Sequence, residues 1–465
     1  MKFVFINPSR NFFKKNVWKL INSVTPPIGI AILAAVLERA GIESDLIDAV
    51  ALNLNEDQIL DKIDPQADYV GISATTPEID VVLNLAGNIA KRFPQIQIIL
   101  GGVHPTIFQE SLVEGRFCDL VIRGEGETPI LELAKKKPIE TICNLTWRSS
   151  DGKVIVNPMS ETFIDLDTLP VPAYHKLPME KYHSALGAAK YQPSIGMITS
   201  RGCPGACTFC FSGMFGRKIR FLSFPKILEQ IDLLQTSYGI REISFYDDTF
   251  TADRKRVQDL CEGLIQRKKK LSWSCFARVD TVNKDLLMVM KHAGCHQIMY
   301  GFESADETVL KTINKRIALR QVKEVVNWTE DAGIDIRGAF MFGNPGETEG
   351  HLKKTIEYAI SLGIQYAIFN ITTPFPGTSL FNWAEENNLL RHTDWQSYDL
   401  SHAILSIPGL PYQTIESYYQ KAFSSFYFRP RYLLERLFAK HTKFETKSYF
   451  KAFSGLLLQM ISARY

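Results

Sequence analysis

Three cysteines, Cys203, Cys207 and Cys210, lie close together in the segment Arg201-Gly-Cys-Pro-Gly-Ala-Cys-Thr-Phe-Cys-Phe211. Its C-x3-C-x2-C spacing supplies three thiolates. Cys thiolates are the usual protein ligands of iron–sulfur clusters, which normally take four of them. Three closely spaced thiolates therefore predict a cubane cluster in which one iron stays open for another ligand.

A structural zinc site is the alternative for these cysteines. Zinc sites usually combine a C-x2-C pair with a second pair of ligands. The next cysteines, Cys261, Cys275 and Cys295, are isolated from one another along the chain. The spacing therefore favours the cluster over zinc.

Length and composition indicate a globular protein of more than one domain. The chain has 465 residues, of which 45% are hydrophobic and 22% charged. Its first eight residues indicate a strand rather than a signal peptide, and no stretch approaches the ~18 apolar residues of a membrane span. The cysteines do not resemble a disulfide framework, so we expect a cytoplasmic location.

Residues 1–136 alternate between strand and helix signals. Helical patterns fall near 28–40, 79–92 and 128–136. Four apolar runs have strand character: Phe3–Ile6, Tyr69–Ser73, Ile96–Leu100 and Asp119–Ile122. The alternation predicts an α/β domain of flavodoxin or Rossmann type, with a parallel sheet. Gly, Pro and Thr are frequent in the turns after these strands, where open α/β sheets bind ligands.

Residues 137–193 differ in character from the first domain. Leu145–Val156 has the pattern of a hairpin around Ser149-Ser-Asp-Gly152, and Leu166–Pro178 is rich in proline. We interpret this region as an interdomain linker that packs against the domains.

Residues 194–385 alternate between strand and helix again. Six strands are expected: Ile195–Thr199, Glu242–Tyr246, Ser272–Phe276, Gln297–Gly301, Ile336–Phe342 and Tyr366–Ile371. Six βα units are too few for the usual closed barrel of eight. The three cysteines follow the first of these strands, at the carboxyl end where barrel active sites lie.

The cysteine motif and the strands after it resemble the radical S-adenosylmethionine (SAM) superfamily. The resemblance implies a partial (β/α)6 barrel with one [4Fe–4S] cluster. It also implies that SAM chelates the open iron through its amino and carboxylate groups. One electron would then cleave SAM to methionine and a 5'-deoxyadenosyl radical.

Loops that would bind SAM follow the second and third strands in the family's order. Tyr246, Asp247 and Asp248 take the place of the family's motif for the SAM amine. An Asx turn, with Thr249 or Asp253 as helix cap, is the alternative reading. After the third strand, Arg278 would contact the SAM carboxylate, and a surface ion pair is the alternative there.

The later strands are followed by further motifs of the family. Gly301-Phe-Glu-Ser304 would place Glu303 at the SAM ribose hydroxyls, because a carboxylate can accept from two hydroxyls at once. A helix-start acid is the alternative. The stretches 338–347 and 373–378 would pack near the adenine. The resemblance also counts Phe209, Ser304 and Gly343 among the SAM contacts.

The first domain resembles that of the cobalamin-binding branch of this superfamily. The stretch Thr25-Pro-Pro-Ile-Gly-Ile-Ala-Ile-Leu-Ala-Ala-Val-Leu-Glu-Arg-Ala-Gly41 is typical of it, and the resemblance covers roughly 1–385. The Asp-x-His-x-x-Gly motif, which supplies an axial histidine to cobalt in many cobalamin domains, is absent. His104 is the only histidine of the domain, and it lies in a loop at a strand end. Histidines in such loops are more often solvated than in contact with a cofactor.

Cobalamin would lie against small and hydroxyl residues at the strand ends. A flavodoxin-like domain that only binds substrate or packs on the barrel is the alternative. The candidate cobalamin contacts are Ser73, Thr75, Thr76, Gly101, Gly102, Gly124 and Glu125.

The C-terminal region, 386–465, is expected to be helical, aromatic and basic. Residues 421–465 hold nine Lys/Arg and two Asp/Glu, a net charge of +7, which leaves −4 for the rest of a chain whose total is +3. A stripe of Tyr449, Phe450, Phe453, Leu456, Leu457 and Met460 has helical spacing. Peripheral contact with a membrane and a helical cap on the barrel are the two alternative roles for this region. Nucleic acid is not an expected partner.

These features together predict an enzyme that methylates an unactivated carbon of a lipid or other hydrophobic small molecule. One SAM would methylate cobalamin, and a second would yield the radical that abstracts hydrogen from the substrate. A radical cyclisation, ring rearrangement or oxidation is one alternative, and a non-catalytic iron–sulfur redox protein is another. The expected electron donor is a low-potential protein such as flavodoxin or ferredoxin.

Overall fold

The computed structural model describes residues 1–8, 23–185, 187–391 and 394–438. Its strands, in chain order, are β1 (Lys2–Asn7), β2 (Glu43–Asp48), β3 (Tyr69–Ser73), β4 (Gln97–Gly101), β5 (Leu120–Ile122), β6 (Leu145–Arg148), β7 (Val154–Val156), β8 (Ser194–Met197), β9 (Ser200–Arg201), β10 (Arg220–Phe221), β11 (Glu242–Phe245), β12 (Ser272–Ala277), β13 (Cys295–Glu303), β14 (Asp335–Phe342) and β15 (Tyr366–Ile371).

The helices lie mainly between these strands. In chain order they are α1 (Ile28–Arg39), α2 (Glu56–Lys62), α3 (Ile79–Arg92), α4 (Val103–Ile107), α5 (Gln109–Glu114), α6 (Glu127–Ala134), α7 (Phe224–Ser237), α8 (Arg254–Gln266), α9 (Lys284–His292), α10 (Glu307–Thr312), α11 (Leu319–Asp331), α12 (Glu349–Ser361), α13 (Ser379–Glu386), α14 (Tyr412–Tyr427) and α15 (Pro430–Phe438). None of these helices has the length and apolar character needed to span a bilayer.

The N-terminal unit, residues 1–8, 24–182 and 211–223, is built on one seven-stranded sheet. Its strand order is β2-β1-β3-β4-β5-β6-β7; the first five strands are parallel, and β6 and β7 add an antiparallel hairpin. The parallel part has the 2-1-3-4-5 order of doubly wound flavodoxin-like sheets. The predicted fold class of this domain is confirmed.

The sheet differs from the sequence-based expectation in two places. The hairpin at 145–156, which we assigned to a linker, continues the sheet through β5. Strand β2 is missing from the prediction because its sequence, Glu-Ser-Asp-Leu-Ile-Asp, is polar and it lies at the sheet edge. The proline-rich segment does pack, since buried Ala173 donates its N–H to the Ala31 carbonyl at 3.0 Å.

The barrel unit, described over 183–210 and 224–438 apart from the gaps given above, contains six parallel strands. Their order is β8-β11-β12-β13-β14-β15, so each strand lies beside the one before it in this series. Strands buried on both faces are apolar almost throughout, and β14 accordingly has seven buried residues of eight. This arrangement confirms the predicted partial barrel.

Side-chain caps fix where several barrel helices begin. Asp253, one of the two caps predicted for this helix, accepts from the Arg256 N–H where α8 begins. Asn283 caps the start of α9 in the same way. Such caps stabilise a helix by about 1 kcal/mol because they satisfy an otherwise unpaired N–H. They also set where each loop at the strand ends stops.

Helix α14 packs on the open edge of the barrel sheet. Phe423 and Phe426 meet the ring of Phe369 on β15, with centroids 5.3 and 6.3 Å apart. Tyr427 accepts from the Ala367 N–H at 3.0 Å and donates to the Ala367 carbonyl at 2.8 Å. The predicted stripe at 449–460 lies outside the described residues.

Candidate active site

The cysteine loop after β9 is held from two sides within the barrel unit. Thr208 donates its N–H to the Ile313 carbonyl at 3.1 Å, and Asn314 Nδ2 donates to the Ala206 carbonyl at 2.7 Å. On the other side, the Thr208 carbonyl accepts from the Leu380 N–H at 2.9 Å. These backbone hydrogen bonds on both flanks fix the position of the loop. Three ligands that converge on one group require such a fixed backbone.

Gly205 lies where two of the sulfur atoms approach each other. A Cβ atom built on it would lie 3.3 Å from Cys203 Sγ and 4.0 Å from Cys207 Sγ, so only glycine leaves this space free.

No group of three or more His, Cys, Asp or Glu side chains in the described ranges is arranged to hold a single metal ion. In a cubane each cysteine binds a different iron, so a cluster does not need that arrangement.

Positive charge surrounds Cys207. Arg278 donates from its guanidinium to Cys207 Sγ at 3.9 Å. The hydrogen bond from the Cys210 thiol, together with the charges of Lys315 and Arg278, lowers the pKa of Cys207 to about 6 against the opposing effect of burial. The same hydrogen bond and burial raise the pKa of Cys210. The two cations thus favour the thiolate at Cys207, and the thiolate is the form in which cysteine binds metal.

Arg278 has more partners than the prediction gave it. It forms a two-point ion pair with Asp280, Nε and one terminal nitrogen each lying 2.9 Å from a carboxylate oxygen. It also donates to the Lys315 carbonyl at 3.1 Å. The ion pair that we gave as the alternative is therefore present, and it aims the guanidinium at Cys207.

Asp247 is fully buried below the cysteine loop. Its carboxylate accepts from the Thr199 N–H and hydroxyl, both at 2.5 Å, and from the Ser200 N–H at 3.0 Å. Arg256 lies 3.9 Å away. Burial raises the pKa of Asp247, while Arg256 and the donors of Thr199 oppose that shift. Its side chain is fully buried and its hydrogen bonds hold the two residues before the cysteine loop, while its predicted contact with the SAM amine stays a prediction.

The neighbours of Asp247 remain candidates for SAM contact. Asp248 lies in the loop after β11 and keeps an exposed side chain, although partial desolvation of its carboxyl group, together with adjacent Asp247, raises its pKa. Tyr246 lies flat over Gly196, where a Cβ atom would meet the ring at 2.5 Å. Phe209 is half-buried, and its predicted role stays a prediction.

Glu303 forms a buried ion pair with Lys315, a residue that the sequence analysis missed. Lys315 Nζ donates to Glu303 Oε1 at 2.6 Å, and both side chains are less than 10% exposed. Glu303 Oε2 has no hydrogen-bond partner in the described ranges and stays available as an acceptor. Burial lowers the pKa of Lys315, but Glu303 outweighs it and the pKa is raised.

Gly301 makes this ion pair possible. A Cβ atom on Gly301 would meet Glu303 Oε1 and would lie 2.6 Å from Lys315 Nζ. Glu303 itself has a φ of +64°, in the left-handed region that side chains other than glycine seldom adopt. The predicted Gly-Phe-Glu-Ser motif thus has a local structural reason for its glycine.

The loop after β14 is closed by Glu347. Its Oε2 accepts from the N–H groups of Gly343 and Asn344 at 2.7 and 2.9 Å. Burial raises the pKa of Glu347 to about 7, although these donors oppose the shift. Gly343 has a φ of +85° and lies against Ile415 of α14, and Ser304 is fully buried, so the SAM contacts predicted for both residues remain predictions.

The predicted cobalamin residues gather at one edge of the N-terminal sheet. Ser73 pairs in register with Gly101, and a Cβ atom on Gly102 would lie 3.1 Å from Ser73 Oγ and 2.6 Å from the Ala74 carbonyl. Gly124 has a φ of +66°. These glycines add no side chain of their own after β4 and β5, so backbone groups are accessible there for the predicted cofactor contact.

Other predicted residues of this edge have structural partners. Thr75 donates its hydroxyl to Glu78 at 2.6 Å. Glu125 is paired with Arg220 at 2.9 Å. His104 is buried rather than solvated; its Nδ1 lies 3.3 Å from the Thr76 hydroxyl, and burial lowers its pKa to about 4. Contact of any of them with cobalamin stays a prediction.

Both cofactor sites fit the residues that form them. The cysteine loop offers three thiols, two of them beside Gly205, and the cations Arg278 and Lys315 lie next to Cys207. The edge at Ser73, Gly101 and Gly124 offers backbone and hydroxyl groups.

Two family models match the chain. Residues 197–359 match the radical SAM superfamily, and residues 18–134 match the B12 binding domain. The expected cofactors, a [4Fe–4S] cluster, SAM and cobalamin, are thereby confirmed.

Similar proteins agree with this assignment. An uncharacterized methyltransferase of Pyrococcus horikoshii is 35% identical over 91% of this chain and 92% of its own. An anaerobic magnesium-protoporphyrin IX monomethyl ester cyclase of Rubrivivax gelatinosus is 28% identical over 82% and 70%. A cytidylyl-2-hydroxyethylphosphonate methyltransferase of Streptomyces wedmorensis is 26% identical over 88% and 86%.

A solved structure shares the whole fold. The cobalamin-dependent S-adenosylmethionine radical enzyme OxsB superposes with a TM-score of 0.73 over 98% of this chain and 72% of its own, at 18% identity. Because the relatives are enzymes, the alternative of a non-catalytic iron–sulfur redox protein is not supported. The chain belongs to the radical SAM superfamily, in the branch that carries an N-terminal B12-binding domain and includes methyltransferases.

Proposed function

We propose that this enzyme transfers a methyl group to an unactivated carbon of a lipid or other hydrophobic metabolite. The observation that carries the proposal is 35% identity to a methyltransferase across 91% of a chain with both cofactor domains. When bound, the cluster supplies the electron that cleaves SAM, and cobalamin carries the methyl group. The chain's own residues bind, orient and electrostatically balance these groups.

The residues at the cluster end of the site have different roles. Cys203, Cys207 and Cys210 hold the cluster, while Arg278 and Lys315 offset the negative charge of its thiolates. Asp247 positions the loop from below. Cluster potentials depend on net charge and on hydrogen bonds to sulfur, so the cations beside Cys207 favour reduction of the cluster.

The SAM contacts are assigned from exposed acceptors at the strand ends. Glu303 Oε2 accepts from a ribose hydroxyl, while its ion pair with Lys315 holds the carboxylate in place. Asp248 takes the amine, since it is the exposed carboxylate of the adjacent pair. Ser73, Gly101 and Gly124 form the surface on which cobalamin lies.

A hydrophobic substrate is supported by two observations. One relative is named for a porphyrin ester, and residues 421–465 are aromatic with a net charge of +7, which suits a hydrophobic anion or an anionic membrane surface. The relative named for a cytidylyl phosphonate marks a polar substrate as the competing class. We expect a cytoplasmic enzyme that takes its electron from a flavodoxin or ferredoxin.

A radical cyclisation or oxidation is the second candidate. It is favoured by the cyclase relative, which matches 82% of this chain. Methylation consumes two SAM for each methyl group, one that yields S-adenosylhomocysteine and one that yields 5'-deoxyadenosine and methionine, whereas cyclisation yields 5'-deoxyadenosine without S-adenosylhomocysteine. The two reactions are therefore separable by their products.

The substrate is sought with SAM that carries a deuterated methyl group. Reconstituted enzyme and a reductant are incubated anaerobically with a total lipid extract and, separately, with the water-soluble metabolites of the same cells. We expect deuterated methyl groups in the lipid fraction by mass spectrometry. The Cys207→Ala variant should transfer none, and Cys143→Ala, a half-buried cysteine of the N-terminal unit, should transfer normally.

Label only in the water-soluble fraction would contradict the hydrophobic class. Label in neither fraction, with 5'-deoxyadenosine formed, would favour the cyclase candidate. Vesicle sedimentation with and without residues 439–465 tests the membrane contact, and unchanged binding after this deletion would remove its support.

A further inference from the structure

A basic cavity of about 650 Å³ opens at the amino ends of the barrel strands. Its lining includes Ser272, where β12 begins, and Cys295, where β13 begins. The SAM site lies at the opposite, carboxyl ends. Eight residue steps separate Cys295 from Glu303 on β13, which at ~3.3 Å per step is about 26 Å. The cavity is therefore separate from the site described above.

The lining of this cavity carries five cations and no acid. The cations are Lys190, Arg241, Lys269, Lys270 and Lys291. Within the described ranges, Lys190 alone has an acidic partner, Asp335 at 3.5 Å. Five positive charges around one concavity attract anions and hold them more strongly than scattered surface lysines would.

Three of the lysines are oriented by carbonyl groups rather than neutralised. Lys269 Nζ donates to the Gln235 carbonyl at 2.7 Å and Lys270 Nζ to the Ile265 carbonyl at 3.1 Å. Lys291 Nζ donates to the Gly333 carbonyl. An ammonium group has three donors, so each lysine keeps its charge and two donors for a ligand.

A buried polar pair preorganises the cavity floor. His296 lines it, with Nε2 2.7 Å from Glu242 Oε1. Glu242 Oε2 accepts from the N–H groups of Lys190 and Tyr191 at 2.9 and 3.0 Å, which fixes the rim. His296 Nδ1 is buried and has no hydrogen-bond partner in the described ranges, and the His296 side chain is only 7% exposed. A buried polar atom of this kind calls for a partner.

We propose that this cavity binds a small molecule that carries phosphate groups. Its volume falls in the roughly 300–1,000 Å³ range of ligand sites, and Lys and Arg are the side chains that recognise phosphate. Tyr191 is 37% exposed, with the Arg241 guanidinium 4.9 Å from its ring centre, and this pair offers a flat surface to a base or another ring. An electron-donor protein does not fit here, because the cluster lies at the other end of the strands.

The test is calorimetric titration of the full-length protein with pyrophosphate and with ATP at physiological ionic strength. The double variant Lys269→Gln/Lys270→Gln is compared with Lys255→Gln/Lys353→Gln, which removes the same charge from exposed helix positions. We expect wild type and control to bind with equal Kd, and the cavity variant at least tenfold more weakly. Unchanged SAM cleavage by all three proteins shows that each is folded.

Three results would overturn the proposal. One is the absence of binding of either probe to wild type at millimolar concentration. Another is equal weakening in the cavity and control variants, which would mean attraction by net charge alone. The third is binding only to phosphatidylglycerol vesicles or to an RNA oligonucleotide, which would make the basic surface a contact for a membrane or for nucleic acid.

Discussion

At the scale of single residues, Asp247 explains how the cysteine loop keeps its position. It receives three hydrogen bonds from Thr199 and Ser200, just before the loop, and it has no contact with solvent. Buried hydrogen bonds to a charged group are worth roughly 1.5–3 kcal/mol each, because an unsatisfied partner cannot return to water. The sequence pattern singled out this acid, and its predicted contact with the SAM amine stays a prediction.

The variant Asp247→Asn tests this positioning role. An amide can accept at only one of its two ends, so one donor of Thr199 or Ser200 would face an NH₂ group. We expect the iron bound per chain after reconstitution to fall at least twofold, and stability to fall by about 1–3 kcal/mol. The control is Asp259→Asn, which loses only an exposed pair with Lys255. Full iron content with unchanged stability would contradict the role.

Glu347 predicts a dependence of stability on pH. Burial raises its pKa from the ordinary 4.5 to about 7. Because the folded state favours the protonated acid, its contribution is fully present below pH 4.5 and is lost as the pH rises through 7. The shift corresponds to about 3 kcal/mol at most, at 1.36 kcal/mol per pKa unit.

The variant Glu347→Gln removes that titration and keeps an acceptor for the Gly343 and Asn344 N–H groups. The fall in Tm between pH 5 and pH 7.5 should therefore be smaller in this variant than in wild type. Glu357→Gln, at an exposed position of α12, should behave as wild type does. Equal pH dependence in all three proteins would show that Glu347 is not buried as a neutral acid.

At the scale of elements, α14 closes the edge of the barrel sheet. An edge strand presents unpaired N–H and C=O groups, which proteins commonly cover. The single hydroxyl of Tyr427 satisfies both groups of Ala367 on β15. The aromatic residues Phe423, Phe426 and Tyr427 of α14 are thus used in packing, and this supports the helical-cap alternative for the described part of the tail.

The variant Tyr427→Phe leaves both backbone groups of Ala367 without this partner. We expect a loss of about 1–3 kcal/mol and faster hydrogen exchange of the Ala367 amide. Tyr418→Phe, which loses only a bond to exposed Glu349, is the matched control. Unchanged exchange at Ala367 would mean that α14 does not protect this edge.

The elements themselves were largely predictable from the sequence. All six barrel strands were found because buried parallel strands are continuous apolar runs. Strand β2 was missed because an edge strand can be polar. In the site, the cysteines and Glu303 could be predicted because they belong to motifs at strand ends. Lys315 could not be predicted, because it lies in a connection between two helices and only the fold brings it to Glu303.

At the scale of the whole molecule, one chain combines two cofactor domains that are described as separate units. The cysteines that we assign to the cluster belong to the barrel unit, and the residues that we assign to cobalamin belong to the N-terminal unit. Removing one cofactor should therefore leave the other bound.

The most direct measurement uses anaerobically reconstituted enzyme with hydroxocobalamin, SAM and a one-electron reductant. Cobalamin is quantified by its visible spectrum, and 5'-deoxyadenosine and S-adenosylhomocysteine are quantified by mass spectrometry. We expect bound cobalamin and both products in wild type, and bound cobalamin without 5'-deoxyadenosine in Cys207→Ala. Wild type that binds no cobalamin, or cleavage of SAM to 5'-deoxyadenosine that survives in Cys207→Ala, would contradict this expectation.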